Sequence, residues 1–179
     1  KLQAERIVLG QSRIIPVTVL RPPAVYGPRD RDFHTLYKMV NSGIFPHWGE
    51  CRYSLLYVDD LVRAIIHAAE SKEAAGGVFF VSDETAYTND EIADAISDAL
   101  GKRPIRLRIP KAIVPVIAGI GGRLGKNAAI LRDRAKELGH PNWTCDPSKA
   151  AKVLGFSSKV KINEGIRWTA NWYRIHQWL

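Results

Sequence analysis

Histidine and cysteine are the residues of this chain that could bind a metal or act as nucleophiles, and their spacing argues against both roles. The chain of 179 residues has five histidines and two cysteines, Cys51 and Cys145. No HExxH pair occurs, and the cysteines do not form a CxxC pair. No GxSxG segment, the turn that presents a catalytic serine, occurs either. The sequence therefore gives no basis for metal-dependent or serine hydrolysis, and two distant cysteines fit a reducing, cytoplasmic compartment.

A glycine-rich stretch at 119–125 superficially resembles a phosphate-binding loop. Such a loop binds pyrophosphate through backbone amides when it directly follows a buried strand and opens a helix. Here it follows an apolar stretch at 112–118, which Pro115 interrupts. We therefore interpret it as a loop or helix break and not as a cofactor fingerprint.

Basic residues concentrate in one segment. The net charge is +8, and residues 101–136 hold ten lysines and arginines against one acid, Asp133, so this segment carries +9 and the rest of the chain −1. Such a patch can bind a phosphate-bearing ligand or an anionic membrane surface, although a solvated surface is the commoner explanation. The basic residues are not interleaved with stacking aromatics, so no nucleic acid partner is expected. No apolar run of about 18 residues occurs, so no integral membrane segment is expected.

The alternation of strand and helix patterns predicts an α/β sheet. We predict strands at 14–20, 54–58 and 78–81 in the first part of the chain. We predict helices at 2–12, at 32–42, after a cap at Asp59 or Asp60, and after the capping box Thr88-Asn89-Asp90-Glu91. After Gly101 the pattern is mostly helical, with one strand at 105–109 and helices after Pro110 and at 127–138, 147–154 and 163–176.

The most informative stretch of the sequence lies near its start. It reads Lys1-Leu2-Gln3-Ala4-Glu5-Arg6, and later Pro16-Val17-Thr18-Val19-Leu20-Arg21-Pro22-Pro23-Ala24-Val25-Tyr26-Gly27-Pro28. It resembles extended short-chain dehydrogenases/reductases of the NAD-dependent epimerase/dehydratase family. In that family a YxxSK motif leads into an "lxAE" helix, a "PvtilRPxxvyGP" strand and loop, and later a "VdD" helix start, here Leu56-Tyr57-Val58-Asp59-Asp60-Leu61. The segments Trp143-Thr144-Cys145-Asp146-Pro147 and Leu154-Gly155-Phe156 also resemble the substrate lobe of the family.

The resemblance implies a fold, a cofactor and partners. The fold would be the C-terminal part of a doubly wound Rossmann-type parallel sheet, at 1–100, plus a small, mostly helical substrate-binding lobe, at 101–179. The cofactor would be NAD or NADP, and the partner a small-molecule substrate. We also expect a homo-oligomer, because an apolar strand at 14–20 without a covering neighbour favours association.

The resemblance also implies roles at the cofactor. Lys1 falls on the lysine of the family's Tyr-x-x-x-Lys pair, which would make it both catalytic and cofactor-binding through the nicotinamide ribose. The tyrosine is the general acid/base of the family, and the lysine lowers the pKa of its phenol. Pro23 falls where the family places a residue against the nicotinamide ring.

Four positions are implied at the substrate: Ala24, Tyr26, Arg52 and Tyr53. Ala24 stands where sugar-nucleotide epimerases and dehydratases usually have an asparagine for the substrate phosphate, and Tyr53 where they carry an arginine for the diphosphate. Arg52 is one residue away, which on a strand directs its side chain to the other face. These departures favour the branch that resembles 3β-hydroxysteroid dehydrogenases and dihydroflavonol reductases, which acts on a secondary alcohol or ketone of a less charged substrate.

Two alternatives stay open. One is a nucleotide-sugar epimerase or dehydratase in which Arg52 rotates to bind the diphosphate. The other is a non-catalytic binding or membrane-surface module, supported by the basic residues at 102–136 that flank the apolar 112–118.

We predict that the encoding gene specifies a tyrosine separated from Lys1 by three residues, and a glycine-rich strand–turn–helix roughly 130–150 residues further upstream. The gene sequence tests this, and any other residue at the tyrosine position would contradict the catalytic assignment. We also expect the 179-residue chain itself to bind NAD(P) weakly and to be inactive, because the family's pyrophosphate-binding helix terminus is not among its residues.

Overall fold

A computed structural model of the chain describes residues 1–47, 50–108 and 142–179. The glycine-rich stretch at 119–125, the apolar stretch at 112–118 and the helices predicted after Pro110 and at 127–138 lie outside these residues.

Helices and strands alternate along the described chain, as the sequence predicts. The helices are α1 (Leu2–Gly10), α2 (Arg31–Asn41), α3 (Val58–Glu70), α4 (Asn89–Leu100), α5 (Ser148–Leu154) and α6 (Ile162–Ile175). The strands are β1 (Val19–Arg21), β2 (Ala24–Tyr26), β3 (Ile44–His47), β4 (Arg52–Tyr57), β5 (Val78–Phe80), β6 (Ala86–Thr88), β7 (Ile105–Arg108) and β8 (Asn142–Trp143). A short 3₁₀ helix at Lys72–Ala74 leads from α3 towards β5.

Most strand pairs are parallel. β1 pairs with β5, and β3 pairs with β7. β4 pairs in parallel with β2 and β8 and antiparallel with β6. This mixture of helices with mainly parallel strands confirms the predicted α/β class. The division at residue 100 stays a prediction. In the structure α6 packs on α4, and α5 packs on β5 and α3.

β4 separates two hydrophobic cores. Side chains alternate between the faces of a strand, so Leu55 and Tyr57 point to one face and Leu56 to the other. The first face packs against α2, α4 and α6 in a cluster that includes Tyr37. The second face packs against α3, β5 and α5. The register of β4 therefore decides which residues face which core.

The strand predicted at 14–20 is shorter than its sequence pattern indicates. β1 begins only at Val19, so the prediction was wrong for residues 14–18. Ile14 and Ile15 lie in a turn after α1. Their amides donate to the Gln11 carbonyl at 2.8 and 3.0 Å, and their side chains are 78% and 60% exposed. The turn satisfies these backbone groups, and Pro16 has no N–H for a ladder. The oligomer expected from this segment stays a prediction.

Of the two predicted helix caps, the one at the start of α4 is present and the one at the start of α3 is not. α4 begins with the predicted capping box: the Thr88 hydroxyl accepts from the Glu91 amide at 3.1 Å, and the Glu91 carboxylate accepts from the Thr88 amide at 2.7 Å. These bonds lower the pKa of Glu91. For α3 the prediction was wrong, because the N-cap is Tyr57 and no side chain caps the helix.

Asp60 binds a distant loop and does not cap its own helix. Its side chain is buried and accepts from the amides of Lys159 at 3.1 Å and Val160 at 3.0 Å. It also forms an ion pair with Arg63. The carboxylate thus attaches the segment before α6 to the first turn of α3.

We predict that Asp60→Ala lowers the free energy of unfolding by about 3 kcal/mol, because it leaves two backbone amides and Arg63 without their acceptor. Asp59→Ala is the matched control, since Asp59 is an exposed carboxylate in the same helical turn, and we expect it to cost less than about 1 kcal/mol. Urea unfolding of both variants measures the difference. Equal losses would contradict the role given to Asp60.

Candidate active site

The candidate site lies at the carboxyl ends of β1 and β5. The two strands are parallel, with Val19, Leu20 and Arg21 in register with Val78, Phe79 and Phe80, so their carboxyl ends meet at one edge. In open α/β sheets ligands bind outside this edge. Pro22 and Pro23 follow β1 directly and lead into β2.

Arg21 connects three elements at this edge. Its guanidinium donates to both oxygens of the Glu5 carboxylate in α1, from Nε at 3.0 Å and also from Nη2. The same guanidinium lies 5.4 Å from the centre of the Phe80 ring at the end of β5. The hydrogen bond lowers the pKa of Glu5 and raises that of Arg21. α1 is therefore attached to the carboxyl end of β1 through its first turn.

This attachment determines where Lys1 lies. The amide of Glu5 donates to the Lys1 carbonyl at 3.0 Å, which closes the first turn of α1. Residues four apart share one face of a helix, so Lys1 and Glu5 are on the same side of α1. Lys1 therefore begins the helical turn that contacts the end of β1, and Pro23 follows the same strand end two residues after Arg21.

Ala24 and Tyr53 share one face of the neighbouring sheet. Ala24 is opposite Leu55, and Tyr53 is two residues before Leu55 on β4, so all three point to the same face. Ala24 is exposed and Tyr53 is half-buried. The register therefore brings together two of the four predicted substrate positions.

Tyr26 and Arg52, the other two predicted substrate positions, have different surroundings. Tyr26 is 3% exposed and stacks on Phe33 with ring centres 5.2 Å apart, and burial raises the pKa of its phenol. It contributes packing beneath the site. Arg52 is on the opposite face of β4 from Tyr53, is more than half exposed, and forms an ion pair of 3.5 Å with Glu50.

Trp143 and Asp83 are not among the predicted site residues. Trp143 lies in the two-residue strand β8 directly opposite Tyr53, and a strand that short has no detectable periodicity. Asp83 is buried after β5 and accepts from the Tyr87 hydroxyl at 2.5 Å and the Ser158 hydroxyl at 3.1 Å. Ser158 is 75 residues away in sequence, so local patterns could not indicate this contact.

A cavity of about 720 Å³ lies beside β1, but it does not coincide with the candidate site. Its walls come from the segment leading into β1 and from the exposed side of α3, and include Thr18, Leu20 and Ile65. None of the six predicted site residues lines it. The candidate site is at the carboxyl ends of β1 and β5 instead.

Neither a membrane span nor a metal site is found in the described residues. No helix in this part of the chain is long and apolar enough to cross a bilayer. No group of three or more His, Cys, Asp or Glu side chains there is arranged to hold a metal ion.

Comparison with known proteins confirms the resemblance. Residues 1–81 match the model of the NAD dependent epimerase/dehydratase family. The chain is 33% identical over 181 residues to the uncharacterised protein y4nL of Sinorhizobium fredii, covering 95% of this chain and 51% of that protein. It is 28% identical over 172 residues to a ceramide reductase of Caulobacter vibrioides, covering 90% and 52%. The chain spans about half the length of these curated relatives.

The fold also matches solved structures. UDP-glucuronic acid 4-epimerase from Bacillus cereus, in complex with UDP-glucuronic acid and NAD, superposes with a TM-score of 0.71 at 22% identity. The match covers 98% of this chain and 51% of that one. At this identity the match shows the fold alone, which is Rossmann-like.

We predict that Arg21→Met raises the pKa of Glu5 towards its ordinary value, because the charge-assisted hydrogen bond is lost. Since the folded-state pKa is lowered, the contact stabilises α1 fully above the unfolded pKa of about 4.3 and is lost as pH falls through the folded value. NMR titration of the Glu5 carboxyl measures the shift. Arg13→Met, at an exposed arginine outside this contact, should leave the titration unchanged. An unchanged midpoint in Arg21→Met would contradict the contact.

Proposed function

Because this chain belongs to the NAD dependent epimerase/dehydratase family, we propose that the protein containing it is an NAD(P)-dependent oxidoreductase or epimerase. Its substrate would carry a secondary alcohol or ketone and less charge than a nucleotide sugar. The observation that supports this best is the contact of Arg21 with Glu5, which brings the Lys1 end of α1 to the carboxyl edge of β1 and β5.

The residues at this edge fit the nicotinamide end of the cofactor. Lys1 would donate hydrogen bonds to the nicotinamide ribose hydroxyls, since its ammonium has three donors and no acceptor. Pro23, half-buried and without an N–H, would give the ring an apolar contact. When bound, the cofactor supplies the hydride acceptor or donor.

Lys1 would also act on the proton that is transferred. An ammonium close to a phenol stabilises the phenolate and lowers the pKa of the phenol. The predicted tyrosine is separated from Lys1 by three residues. It would then accept the proton of the substrate hydroxyl, or donate it back, near neutral pH. Lys1 would therefore bind the ribose and lower the pKa of the tyrosine, so that the tyrosine can transfer a proton near neutral pH.

The proposed substrate wall favours a less charged ligand. A diphosphate needs charge-assisted hydrogen bonds from arginine or comparable donors, and neither Ala24 nor Tyr53 supplies a cation. Among the described residues of β2 and β4, the cation that could bind a diphosphate is Arg52, which is on the other face of β4 and paired with Glu50. This arrangement supports the oxidoreductase over the nucleotide-sugar epimerase.

The charges around α4 weigh against a membrane-surface module. Of the basic segment that supports that alternative, residues 102–108 are in the described chain. Arg103 pairs with Asp98 at 3.4 Å, and Arg106 pairs with Asp90 at 3.3 Å and with Asp94. Acids of α4 thus neutralise two of these cations, which reduces the attraction to anionic lipid.

We predict that Lys1→Met lowers kcat/KM of the encoded protein by about 100-fold or more, the usual contribution of proton-transfer catalysis. The assay follows NADH and NADPH formation with a panel of uncharged secondary alcohols. Conversion of UDP-glucose is followed separately by chromatography of the sugar nucleotide, because an epimerase or dehydratase returns the hydride within each turnover and forms no net NADH. Lys38→Met, at an exposed lysine of α2, is the matched control and should retain full activity. Wild-type turnover in Lys1→Met would contradict the proposal, and turnover of UDP-glucose alone would favour the nucleotide-sugar alternative.

A further inference from the structure

Three functional groups are spaced one helical turn apart along α1 and the residues that would precede it. Lys1 and Glu5 are four residues apart, and the Glu5 amide donates to the Lys1 carbonyl at 3.0 Å, which is the hydrogen bond of a regular helical turn. The predicted tyrosine is separated from Lys1 by three residues, so it would precede Lys1 by one further turn. Side chains four residues apart share a face of a helix. Lys1 would therefore lie between the phenol on one side and the Glu5 carboxylate on the other.

Glu5 can compete with the tyrosine for the Lys1 ammonium. A carboxylate and an ammonium four residues apart on a helix attract each other. The Glu5 side chain is 18% exposed, so water screens its charge incompletely. An ammonium drawn towards Glu5 would be further from the phenol and from the nicotinamide ribose. The negative charge of the carboxylate would also disfavour a phenolate on the same helix face. An unpaired Glu5 would thus oppose both roles proposed for Lys1.

Arg21 neutralises this carboxylate. Its Nε donates to one Glu5 oxygen at 3.0 Å and its Nη2 donates to the other, which is the strong two-oxygen geometry of an arginine and a carboxylate. The Phe80 ring, 5.4 Å from the guanidinium, gives the cation a second contact. An arginine stays charged over the whole pH range of enzyme turnover. The hydrogen bond lowers the pKa of Glu5, so the pair stays ionised on both sides.

The charged groups near Glu5 come from α1 and β1. On α1 they are Lys1 and Arg6, and Arg6 is the next residue after Glu5, so its side chain points about 100° away around the helix. On β1 the charged group is Arg21, and at the end of β5 the neighbouring side chain is the uncharged Phe80 ring. The ion pair of Glu5 in the described chain is the one with Arg21.

Building on the proposed function, we propose that Arg21 is a positioning residue, which neutralises Glu5 and thereby leaves the Lys1 ammonium to the tyrosine and the nicotinamide ribose. Arg21 touches neither substrate nor cofactor in this proposal. It acts through Glu5 and Lys1, and its effect is electrostatic. The rival explanation is a mechanical role, in which Arg21 only holds α1 against the strand end.

Three variants separate the electrostatic role from the mechanical one. Arg21→Met leaves Glu5 charged and unpaired, Glu5→Gln leaves Arg21 charged and unpaired, and the double variant removes both charges. All three break the ion pair that connects α1 to β1, so the mechanical role predicts the same change in each. The electrostatic role predicts that the pKa of the tyrosine rises in Arg21→Met, falls in Glu5→Gln and returns close to its wild-type value in the double variant.

The direct measurement is an NMR titration of the encoded protein without cofactor, with carbon-13 at Cζ of its tyrosines. The signal of the predicted tyrosine is assigned by its loss when that residue is replaced by phenylalanine. Burial raises the pKa values of Tyr26, Tyr37, Tyr87 and Tyr173, so their signals change at higher pH. Arg13→Met, at an exposed arginine, is the matched control and should leave the midpoint unchanged.

The sign of each shift decides between the two roles. A shift in the same direction in all three variants would overturn the proposal. So would an unchanged midpoint in Arg21→Met, or a double variant that keeps the midpoint of Arg21→Met.

Kinetics of the encoded protein show the same effect as a pH dependence. In alcohol oxidation the phenolate accepts the proton, so a raised pKa of the tyrosine moves the profile of kcat/KM to higher pH. Below the wild-type midpoint, Arg21→Met should lose about tenfold in kcat/KM, and the loss should disappear at high pH. The double variant should recover most of the loss at low pH. A loss in Arg21→Met that is equal at every pH would overturn the proposal.

Lys1→Met separates this proposal from the proposed function. If turnover depends on Lys1 but the three variants shift the midpoint in one direction, the function holds and the positioning role of Arg21 is wrong. If the midpoint follows the charges as predicted but Lys1→Met keeps wild-type turnover, the positioning role holds and the function is wrong.

Discussion

The two-oxygen contact between Arg21 and Glu5 determines the geometry of the candidate site. Within this chain none of the residues of α1 is buried, and its apolar side chains, such as Ile7, are largely exposed. Arg21 also lies against Phe80, so one guanidinium connects α1, β1 and β5. Lys1 begins the turn of α1 that Arg21 contacts. Within this chain, a charged contact connects the helix that follows the proposed catalytic lysine to the strand edge.

The register of β4 is the second constraint, because it divides the substrate positions between two faces. Tyr53 faces the same side as Ala24, and Arg52 faces the other side. A shift of one residue would exchange them and bring a cation to the substrate face. The alternating burial of Leu55, Leu56 and Tyr57 in two cores opposes such a shift. The same packing that stabilises the fold thus determines the charge of the proposed substrate wall.

Local signals in the sequence predicted much of the fold and little of the site. The capping box of α4 and the strand at 54–58 were predictable because adjacent residues specify them. β2, β6 and β8 were not, because strands of two or three residues gain their pairing only from β4. The role of Asp60 could not be predicted from the sequence either, because the amides that donate to it are 99 and 100 residues away. The proposed positions Lys1 and Pro23 came from family resemblance, and the contact of Arg21 with Glu5 connects the first turn of α1 to the strand that Pro23 follows.

The most direct test of this account is an experimental structure of the encoded protein with NAD bound. The account predicts that Lys1 Nζ lies within about 3 Å of a nicotinamide ribose oxygen, with Pro23 against the nicotinamide ring and Glu5 still bound to Arg21. A nicotinamide bound away from the carboxyl edge of β1 and β5, or a Lys1 side chain directed away from the ribose, would contradict it.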